Sequence, residues 1–345
     1  MITKIIKEEE IQKAKKYVEK GERFVIVTHV SPDGDALGSS LALYHFLLAY
    51  GKDNVAVVVP NDFPAFFKWM PGNKEVIIYD KYPEFAEKLL NEADVIFCLD
   101  FNEPKRVDKL APALMAAGGR RVLIDHHLFP ADFCRVTMSY PQMSSTSEMV
   151  FRFICRMGLF ELLNREAATC IYTGMMTDTG AFTYNSNQPE IYTIIGELIK
   201  KGIDKDEIYR NVNQVYSEGR LRMMGYVLYS KLRTYCNKKV ALITLSQEEL
   251  RRFYYQTGDT EGFVNLPLNM AKTRFSAFLR EDPDFIKVSL RSVGNFPCNE
   301  FASRYFNGGG HKNASGGEFY GTMKEAIAHF EKSLKEFHAE LGNIQ

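Results

Sequence analysis

The sequence predicts an α/β fold in three parts: a parallel-sheet domain over residues 1–188, a helical connector over 189–236 and a smaller α+β domain over 237–345. Through the first part, short apolar runs alternate with helical stretches, a pattern typical of βαβ units in a parallel sheet. The connector carries only helical periodicity, and paired strand-like runs follow it. A chain of 345 residues is also long enough to form two domains of ordinary size.

Strands of the first domain are predicted from short apolar runs rich in β-branched residues, and helices from longer stretches with an apolar stripe. Gly51 ends the second helix and Pro60 ends the second strand, because glycine and proline interrupt regular structure. The predicted strands are Phe24–Val27, Val55–Val59, Glu75–Tyr79, Val95–Leu99 and Val122–Ile124. The predicted helices are Ile11–Val18, Ala36–Tyr50, Pro83–Asn91, Val107–Ala117, Ser144–Met157 and Arg165–Met176.

The rest of the chain divides into helices with interleaved charges and a segment with a different texture. The connector helices are predicted at Ile191–Lys201, Lys205–Val215 and Arg220–Leu232. In the last domain we predict strands at Val240–Leu245, Arg274–Arg280 and Ile286–Arg291, helices at Gln247–Tyr255 and Met323–Leu341, and a glycine-rich loop at Gly308–His311.

Composition and charge limit the class of protein. Hydrophobic residues make up 46% and charged residues 25% of the chain, which excludes disordered and fibrous proteins. The 43 basic residues balance the 43 acidic ones. Because a protein that grips many phosphates usually carries a basic excess, we expect a small anionic substrate, or none, and no long nucleic acid.

The cysteines and the N-terminus indicate a cytoplasmic protein. The six cysteines are scattered without a Cys-x-x-Cys pair, so neither a disulfide framework nor a structural zinc ribbon is predicted. The N-terminal residues lack the apolar stretch of a secretory signal, and no run of 18 apolar residues occurs. We therefore expect no membrane span and no membrane partner.

Side chains of the kind that bind metals follow three predicted strands and one predicted helix. The carboxyl ends of parallel strands meet at one edge of a sheet, so these groups are expected to lie together. Clustered carboxylates repel unless a cation neutralises them, and imidazole with carboxylates suits Mn²⁺ or another divalent ion. The groups are His29, Asp33, Asp35, Asp100, Asp125, His126, His127 and Asp178. Two ions sharing such ligands could clamp the attacking and leaving oxygens of a phosphoryl displacement.

Each element alone has a simpler explanation. The turn that contains Asp33 and Asp35 could be only a turn, Asp100 could cap a following helix, and Asp178 could bond its own backbone. A histidine at a strand end is usually satisfied by hydrogen bonds. The conjunction of four separated segments is what predicts a metal centre.

These motifs resemble those of a known family. His29-x-x-x-Asp33-x-Asp35, Cys98-Leu99-Asp100, Asp125-His126-His127 and Thr177-Asp178-Thr179-Gly180 are similar to the four motifs of the DHH phosphoesterase superfamily. The glycine-rich segment from Gly308 to Gly316 resembles the signature of the DHH-associated substrate-binding domain. Ser315 departs mildly from the family, which commonly has a second alanine there. The two-domain length is similar to the nanoRNase (NrnA-type) branch of bifunctional oligoribonucleases and pAp phosphatases.

The resemblance implies roles for the metal-type residues. One manganese ion would be held by His29 and Asp33, the other by Asp35, His126 and Asp178, with Asp100 bridging both. Asp125 would orient His126, since metal-bound histidines commonly need such a partner. His127 would contact the phosphate or protonate the leaving oxygen, and a purely structural role stays open for it.

The resemblance also implies a phosphate pocket in the last domain, with the active site in the cleft between the two domains. Glycine N–H groups can surround an anion, and Arg291 can bind a terminal phosphate with two hydrogen bonds. An exposed strand-end arginine remains the simpler alternative. The candidate substrate-binding residues are Arg291, Ser292, Asn299, Gly308, Gly309, Gly310 and His311.

The expected activity is hydrolysis by two-metal water attack. The substrates would be short RNA or DNA oligonucleotides, cleaved to mononucleotides, and 3′-phosphoadenosine 5′-phosphate (pAp), cleaved to AMP; a homodimer is a possible assembly. Four alternatives stay open: an exonuclease for long single strands, an exopolyphosphatase or pyrophosphatase, a cyclic-dinucleotide phosphodiesterase, and an RNA-binding module without activity. The complete set of metal ligands argues against the last of these.

Overall fold

A six-stranded parallel sheet forms the first half of the protein and confirms the predicted α/β fold. The spatial order is β3-β2-β1-β4-β5-β6, so the chain direction across the sheet reverses between β1 and β4. In such sheets a crevice forms at this switch point, outside the carboxyl ends of the strands. The strands are β1 (Arg23–Val27), β2 (Asn54–Val59), β3 (Val76–Ile78), β4 (Val95–Leu99), β5 (Arg120–Asp125) and β6 (Val136–Ser139).

The computed structural model describes residues 4–341, with side chains to residue 337. The chain divides between Val215 and Tyr216 into two compact units, called unit 1 and unit 2 below. This division falls inside the predicted connector, whose status as a separate segment stays a prediction. Among the helices of residues 4–341, none has both the length and the apolar character needed to cross a bilayer.

Both faces of the parallel sheet are buried, because its strands are apolar on both sides. In β1, Phe24 and Ile26 pack into one apolar cluster, while Val25 and Val27 pack into another. This alternation follows from the two-residue period of a strand and is typical of parallel sheets covered by helices. The helices of unit 1 are α1 (Glu8–Lys20), α2 (Gly34–Ala49), α3 (Pro83–Glu92), α4 (Ala111–Ala116), α5 (Thr146–Arg156), α6 (Arg165–Asp178), α7 (Pro189–Lys200) and α8 (Lys205–Asn213).

Two predictions for unit 1 need correction. The helix predicted over Val107–Ala117 is wrong in its first half, where Pro104–Leu110 forms a 3₁₀ helix and α4 begins only at Ala111. Pro112 explains the break, because proline lacks an N–H and is accommodated in the first turn of a helix. Strand β6 was not predicted, since a four-residue run with two polar members carries little signal without its partner β5.

Unit 2 contains a second six-stranded sheet in the order β11-β12-β10-β9-β8-β7. All its pairs are antiparallel except β8 with β9, and this mixture confirms the predicted α+β character. The strands are β7 (Arg233–Tyr235), β8 (Val240–Leu245), β9 (Phe275–Glu281), β10 (Ile286–Ser292), β11 (Gly309–His311) and β12 (Ala314–Phe319). The helices are α9 (Glu218–Tyr226), α10 (Gln247–Arg252), α11 (Cys298–Tyr305) and α12 (Met323–Leu341).

The glycine-rich segment of unit 2 differs from the prediction. Instead of a loop, Gly309–His311 forms the edge strand β11, paired with β12. Glycine is depleted in strands, so the pairing is visible only once β12 is in place. Asn299, one of the candidate substrate-binding residues, lies in the first turn of helix α11. The helix predicted over Arg220–Leu232 ends as a π-helical turn, and β7 follows it.

Candidate active site

The carboxyl ends of β1 and β4 bring the first group of predicted metal ligands together. His29 Nε2 lies 3.4 Å from Asp100 Oδ2 and 3.8 Å from Asp33 Oδ1. The other ring nitrogen of His29, Nδ1, donates a 2.8 Å hydrogen bond to the carbonyl of Val30. This bond keeps a proton on Nδ1, so Nε2 is the ring nitrogen that faces the carboxylates and could bind a cation.

A second group forms around His126, at the end of β5. His126 Nε2 lies 3.4 Å from Asp178 Oδ2, 3.7 Å from Asp100 Oδ1 and 3.9 Å from Asp35 Oδ2. Its Nδ1 faces the carbonyl oxygen of Met143 at 3.3 Å. The two histidines are thus held in the same way, each by a backbone carbonyl. Asp100 belongs to both groups, with one carboxylate oxygen toward each histidine.

The backbone at the ends of β1 and β4 aims these carboxylates. Asp33 caps helix α2: its Oδ1 accepts hydrogen bonds of 3.0 Å from the amides of Asp35 and Ala36. Asp100 has a φ of 65°, in the left-handed region that a non-glycine residue seldom occupies. Conformations of this kind occur where the surrounding structure holds them and are frequent at functional sites. Here the conformation turns Asp100 out of the strand toward the two histidines.

The N-terminus of helix α5 contributes contacts that sequence analysis missed. The amide of Thr146 donates to Asp35 Oδ2 at 2.6 Å, and the amide of Ser147 donates to Asp35 Oδ1 at 2.8 Å. The Thr146 hydroxyl donates to Asp100 Oδ1 at 2.8 Å. Unpaired amides and the helix dipole favour a carboxylate at this position. Ser145 caps α5 by accepting the amide of Glu148, but nothing local in the sequence indicates which carboxylate the start of the helix meets.

Glycines allow the helices that carry these ligands to approach closely. A Cβ added to Gly38 of α2 would lie 2.7 Å from the carbonyl oxygen of Cys170 in α6. A Cβ on Gly174 of α6 would overlap the Ser147 hydroxyl and would lie 2.8 Å from Asp35 Oδ1. Neither distance is tolerable for carbon, so these two positions accept only hydrogen. The close approach brings Asp35 and Asp178 to the same side of the sheet.

The carboxylates among the predicted metal ligands repel one another when all of them are ionised. Burial, together with the negative charges of Asp100 and Asp178, raises the pKa of Asp35 well above its usual value. Burial alone would raise the pKa of Asp100 too, but the neighbouring imidazoles lower it below its usual value. Burial lowers the pKa of His126, and the facing carboxylates of Asp100 and Asp35 more than offset that effect. The imidazoles thus stabilise mainly the negative charge of Asp100. The negative charge of Asp35 is repelled by the neighbouring carboxylates, and a bound cation would relieve that repulsion.

The donor set fits divalent cations. The ligand atoms of His29, Asp33 and Asp100 lie within 4.8 Å of one another, as do those of Asp35, Asp100 and His126. Carboxylates with imidazole nitrogens suit borderline and hard divalent ions. Two adjacent sites that share Asp100 are therefore compatible with the residues present.

Asp125 has a different partner from the one expected. The prediction that Asp125 orients His126 is wrong: its Oδ1 accepts a 2.7 Å hydrogen bond from His127 Nδ1 and its Oδ2 accepts one of 3.1 Å from the His127 amide. Asp125 ends strand β5, and the chain turns so that the second imidazole folds back on it. Asp125 therefore sets the orientation of His127, whose Nδ1 also lies 3.8 Å from Asp100 Oδ1.

The predicted phosphate-binding residues all lie in unit 2. Arg291 of β10 and His311 of β11 are both in register with Ala314 of β12, which lies between them. Directly opposed residues share a face of a sheet, so Arg291 and His311 project from the same, less buried face. Ser292 projects from the opposite face, where its hydroxyl donates to the carbonyl of Phe296 at 2.7 Å. Its hydrogen bond within the loop accounts for Ser292 without a ligand.

The glycines beside His311 have separate structural reasons. Cβ atoms on Gly308 and Gly310 would overlap or crowd the backbone of β12, and Gly310 has a φ of 136°. Gly309 meets nothing within 4 Å, so its position is open. Among the described residues β11 is the edge strand of this sheet, and an amide on the outer side of an edge strand can meet an anion. Asn299 Oδ1 is buried, and no hydrogen-bond donor reaches it among the described residues.

Known proteins resemble this chain over nearly all its length. The DHH family, N-terminal domain, matches residues 23–175, and the DHHA1 domain matches residues 228–340. A relative in Thermus thermophilus, named bifunctional oligoribonuclease and PAP phosphatase NrnA, is 32% identical over 92% of this chain and 89% of its own. A Bacillus subtilis protein of the same name is 26% identical over 87% of this chain and 90% of its own. The crystal structure of an exopolyphosphatase-related protein from Bacteroides fragilis is 58% identical, covers 99% of this chain and 100% of its own, and has a TM-score of 0.95.

Proposed function

This chain belongs to the DHH family of metal-dependent phosphoesterases, in its NrnA-type branch, and we propose that it uses manganese to hydrolyse short oligonucleotides to mononucleotides and pAp to AMP. The observation that carries the proposal is the position of Asp100 between two imidazole–carboxylate groups, with one oxygen toward each. A shared carboxylate is the arrangement that two adjacent cations need.

The cluster supports a division of the metal ligands. His29 and Asp33 would hold one cation, and the other would be held by the second group, with Asp100 common to both. The second group comprises Asp35, His126 and Asp178. When bound, a pair of divalent cations neutralises phosphoryl oxygens and makes hydroxide available near neutral pH.

The remaining chemistry falls to His127. Asp125 holds the proton on His127 Nδ1, which leaves Nε2 as the nitrogen that exchanges a proton. When it carries a proton, Nε2 could protonate the oxygen of the departing nucleotide or donate a hydrogen bond to a phosphate. Asp125 acts here as a positioning residue, since its carboxylate accepts hydrogen bonds from the ring and the amide of His127.

The preference for short substrates rests on charge and on the second domain. With equal numbers of acidic and basic residues, the chain lacks the overall positive charge that long nucleic acids attract. Arg291 and His311, on one face of the sheet in unit 2, are suited to one terminal phosphate group. Relatives named for oligoribonuclease and PAP phosphatase activity support the same substrate class.

Polyphosphate is the second candidate substrate, because the Bacteroides structure is described as exopolyphosphatase-related. A hydrolysis assay in the presence of Mn²⁺ separates the candidates. It compares three end-labelled RNAs (a diribonucleotide, a pentaribonucleotide and a long RNA) with pAp, pyrophosphate and tripolyphosphate, all at the same total phosphate concentration. We expect rapid cleavage of the short RNAs and of pAp, slow cleavage of the rest, and loss of activity on chelation. Faster cleavage of tripolyphosphate or of long RNA would contradict the proposal.

Asp178→Asn is a suitable inactive control. The Asp178 side chain is 29% exposed, so its replacement disturbs the fold less than that of the buried ligands. Activity close to that of the unmodified protein would show that Asp178 is not a ligand. A cytoplasmic location and a homodimer stay predictions.

A further inference from the structure

An exposed phenylalanine follows the histidines of the candidate active site. Phe129 lies two residues after His127, in the segment between β5 and β6, and its side chain is 85% exposed. Among the side chains described, the other exposed phenylalanine is Phe85, at 52%. The adjoining Leu128 is 38% exposed and extends the apolar surface. A single exposed apolar ring is not unusual, but one this exposed two residues from His127 is available to a ligand of the candidate active site.

The backbone at Phe129 is held by hydrogen bonds to Asn102. Phe129 has a φ of 57°, a conformation that is unfavourable for a bulky residue. Asn102 Nδ2 donates to the carbonyl of Leu128 at 2.7 Å and faces that of Phe129 at 3.4 Å, and the carbonyl of Asn102 accepts the amide of Ala131 at 2.8 Å. The segment is therefore fastened on both sides of Phe129, although its side chain is largely in water.

These contacts hold the backbone of Phe129 near the predicted metal ligands. Two residues of chain span at most about 7 Å, so the Cα of Phe129 lies within that distance of the Cα of His127. Asn102, which fastens the segment, is itself two residues after Asp100. Phe129 and Asn102 are thus each two residues away in sequence from a candidate active-site residue, His127 and Asp100.

We propose that the Phe129 ring is the surface on which a nucleobase of the substrate stacks while its phosphate lies at the metal-ligand cluster. The proposal rests on the proposed function and adds the source of nucleotide recognition. Base–aromatic stacking is tolerant of sequence, because every base has a π face. A phenylalanine ring has no hydrogen-bonding group, so it distinguishes nucleotides from inorganic phosphates without choosing among the bases. Stacking also supplies affinity that a chain of zero net charge does not obtain from a basic channel.

A binding experiment tests this without depending on turnover. Calorimetry on the Mn²⁺-loaded protein compares 5′-AMP with ribose 5-phosphate, which carries the same phosphate and sugar but no base. We expect Phe129→Ala to weaken AMP binding by about 5- to 150-fold, the range for loss of one base stack, and to leave ribose 5-phosphate binding unchanged. Phe129→Trp should keep AMP affinity. The Michaelis constant for diadenylate should rise in parallel with the AMP dissociation constant.

Phe85→Ala is the matched control. Phe85 is also exposed but lies in α3, a helix that carries none of the predicted metal ligands. This variant should bind both ligands as the unmodified protein does.

Three results would overturn the proposal. One is unchanged AMP binding by Phe129→Ala, and another is equal weakening for AMP and ribose 5-phosphate, which would indicate a purely structural ring. The third is an unmodified protein that binds the two ligands equally. Failure of the proposed function is a separate observation, namely an unmodified protein that binds AMP but cleaves no oligonucleotide.

Discussion

Replacement of Gly174 by alanine should displace Asp35, one of the predicted metal ligands. Gly174 lies in α6, four residues before Asp178, and faces the start of α5. The new Cβ would overlap the Ser147 hydroxyl and would lie 2.7 Å from Ser147 Cβ and 2.8 Å from Asp35 Oδ1. Rotation of the serine hydroxyl cannot remove the clash, because its Cβ and the Asp35 carboxylate remain in the way.

The size of the effect follows from three contributions. Alanine is favoured over glycine in a helix interior by about 1 kcal/mol. Overpacking of a tight interior costs about 1–3 kcal/mol. Displacement of Asp35 weakens its hydrogen bonds to the amides of Thr146 and Ser147, and one such charged bond contributes about 1.5–3 kcal/mol. The net result is a destabilisation of about 1.5–5 kcal/mol.

Gly196→Ala is the control for the helix-propensity contribution. Gly196 lies inside α7, also in unit 1, and an added Cβ would meet nothing within 4 Å. This variant should be stabilised by about 0.5–1 kcal/mol. The two substitutions are therefore expected to change stability in opposite directions.

Urea unfolding of the metal-free protein measures both variants. Gly174→Ala should lower the midpoint of the unit 1 transition by about 1 M, and Gly196→Ala should raise it slightly. Calorimetric titration with Mn²⁺ should show weaker binding for Gly174→Ala alone. If Gly174→Ala proves as stable as Gly196→Ala and binds the metal normally, the helices do not pack as described and Asp35 is not positioned by them.

Three further predictions concern the other parts of the site. Asp125→Asn should lower turnover by about 10- to 100-fold and leave Mn²⁺ affinity unchanged in a calorimetric titration, because Asp125 bonds to His127; a loss of metal affinity would contradict that assignment. With Mn²⁺ present at about 100 times its dissociation constant, adding a chelator should lower the melting temperature of unit 1 by about 5–10 °C. An unchanged melting temperature would argue against a metal site. Arg291→Ala should raise the Michaelis constant for diadenylate by about 10- to 100-fold, while Lys287→Ala, on the same strand face, should not; equal effects would mean that general charge, and no defined pocket, attracts the substrate.

The parallel sheet and the order of the ligands were accessible from sequence because they depend on local patterns. An apolar run such as Val95–Leu99 predicts a strand whichever strands pair with it. Asp100 directly follows this run, so its place at the strand end is also predicted. Strands that are short or rich in glycine could not be predicted from the sequence. Gly309–His311 and Val136–Ser139 become strands because a neighbouring strand offers hydrogen bonds, and that neighbour is identified only in three dimensions.

The candidate site shows the same division. From the sequence we could predict which residues carry imidazole and carboxylate groups and that strand ends present them. Three features become visible only in the folded chain: Asp125 bonds to His127, α5 donates its first amides to Asp35, and the pKa values of Asp35 and Asp100 shift in opposite directions. Helical and strand periods act over a few residues, whereas Asp35 and Thr146 are 111 residues apart and meet only through packing.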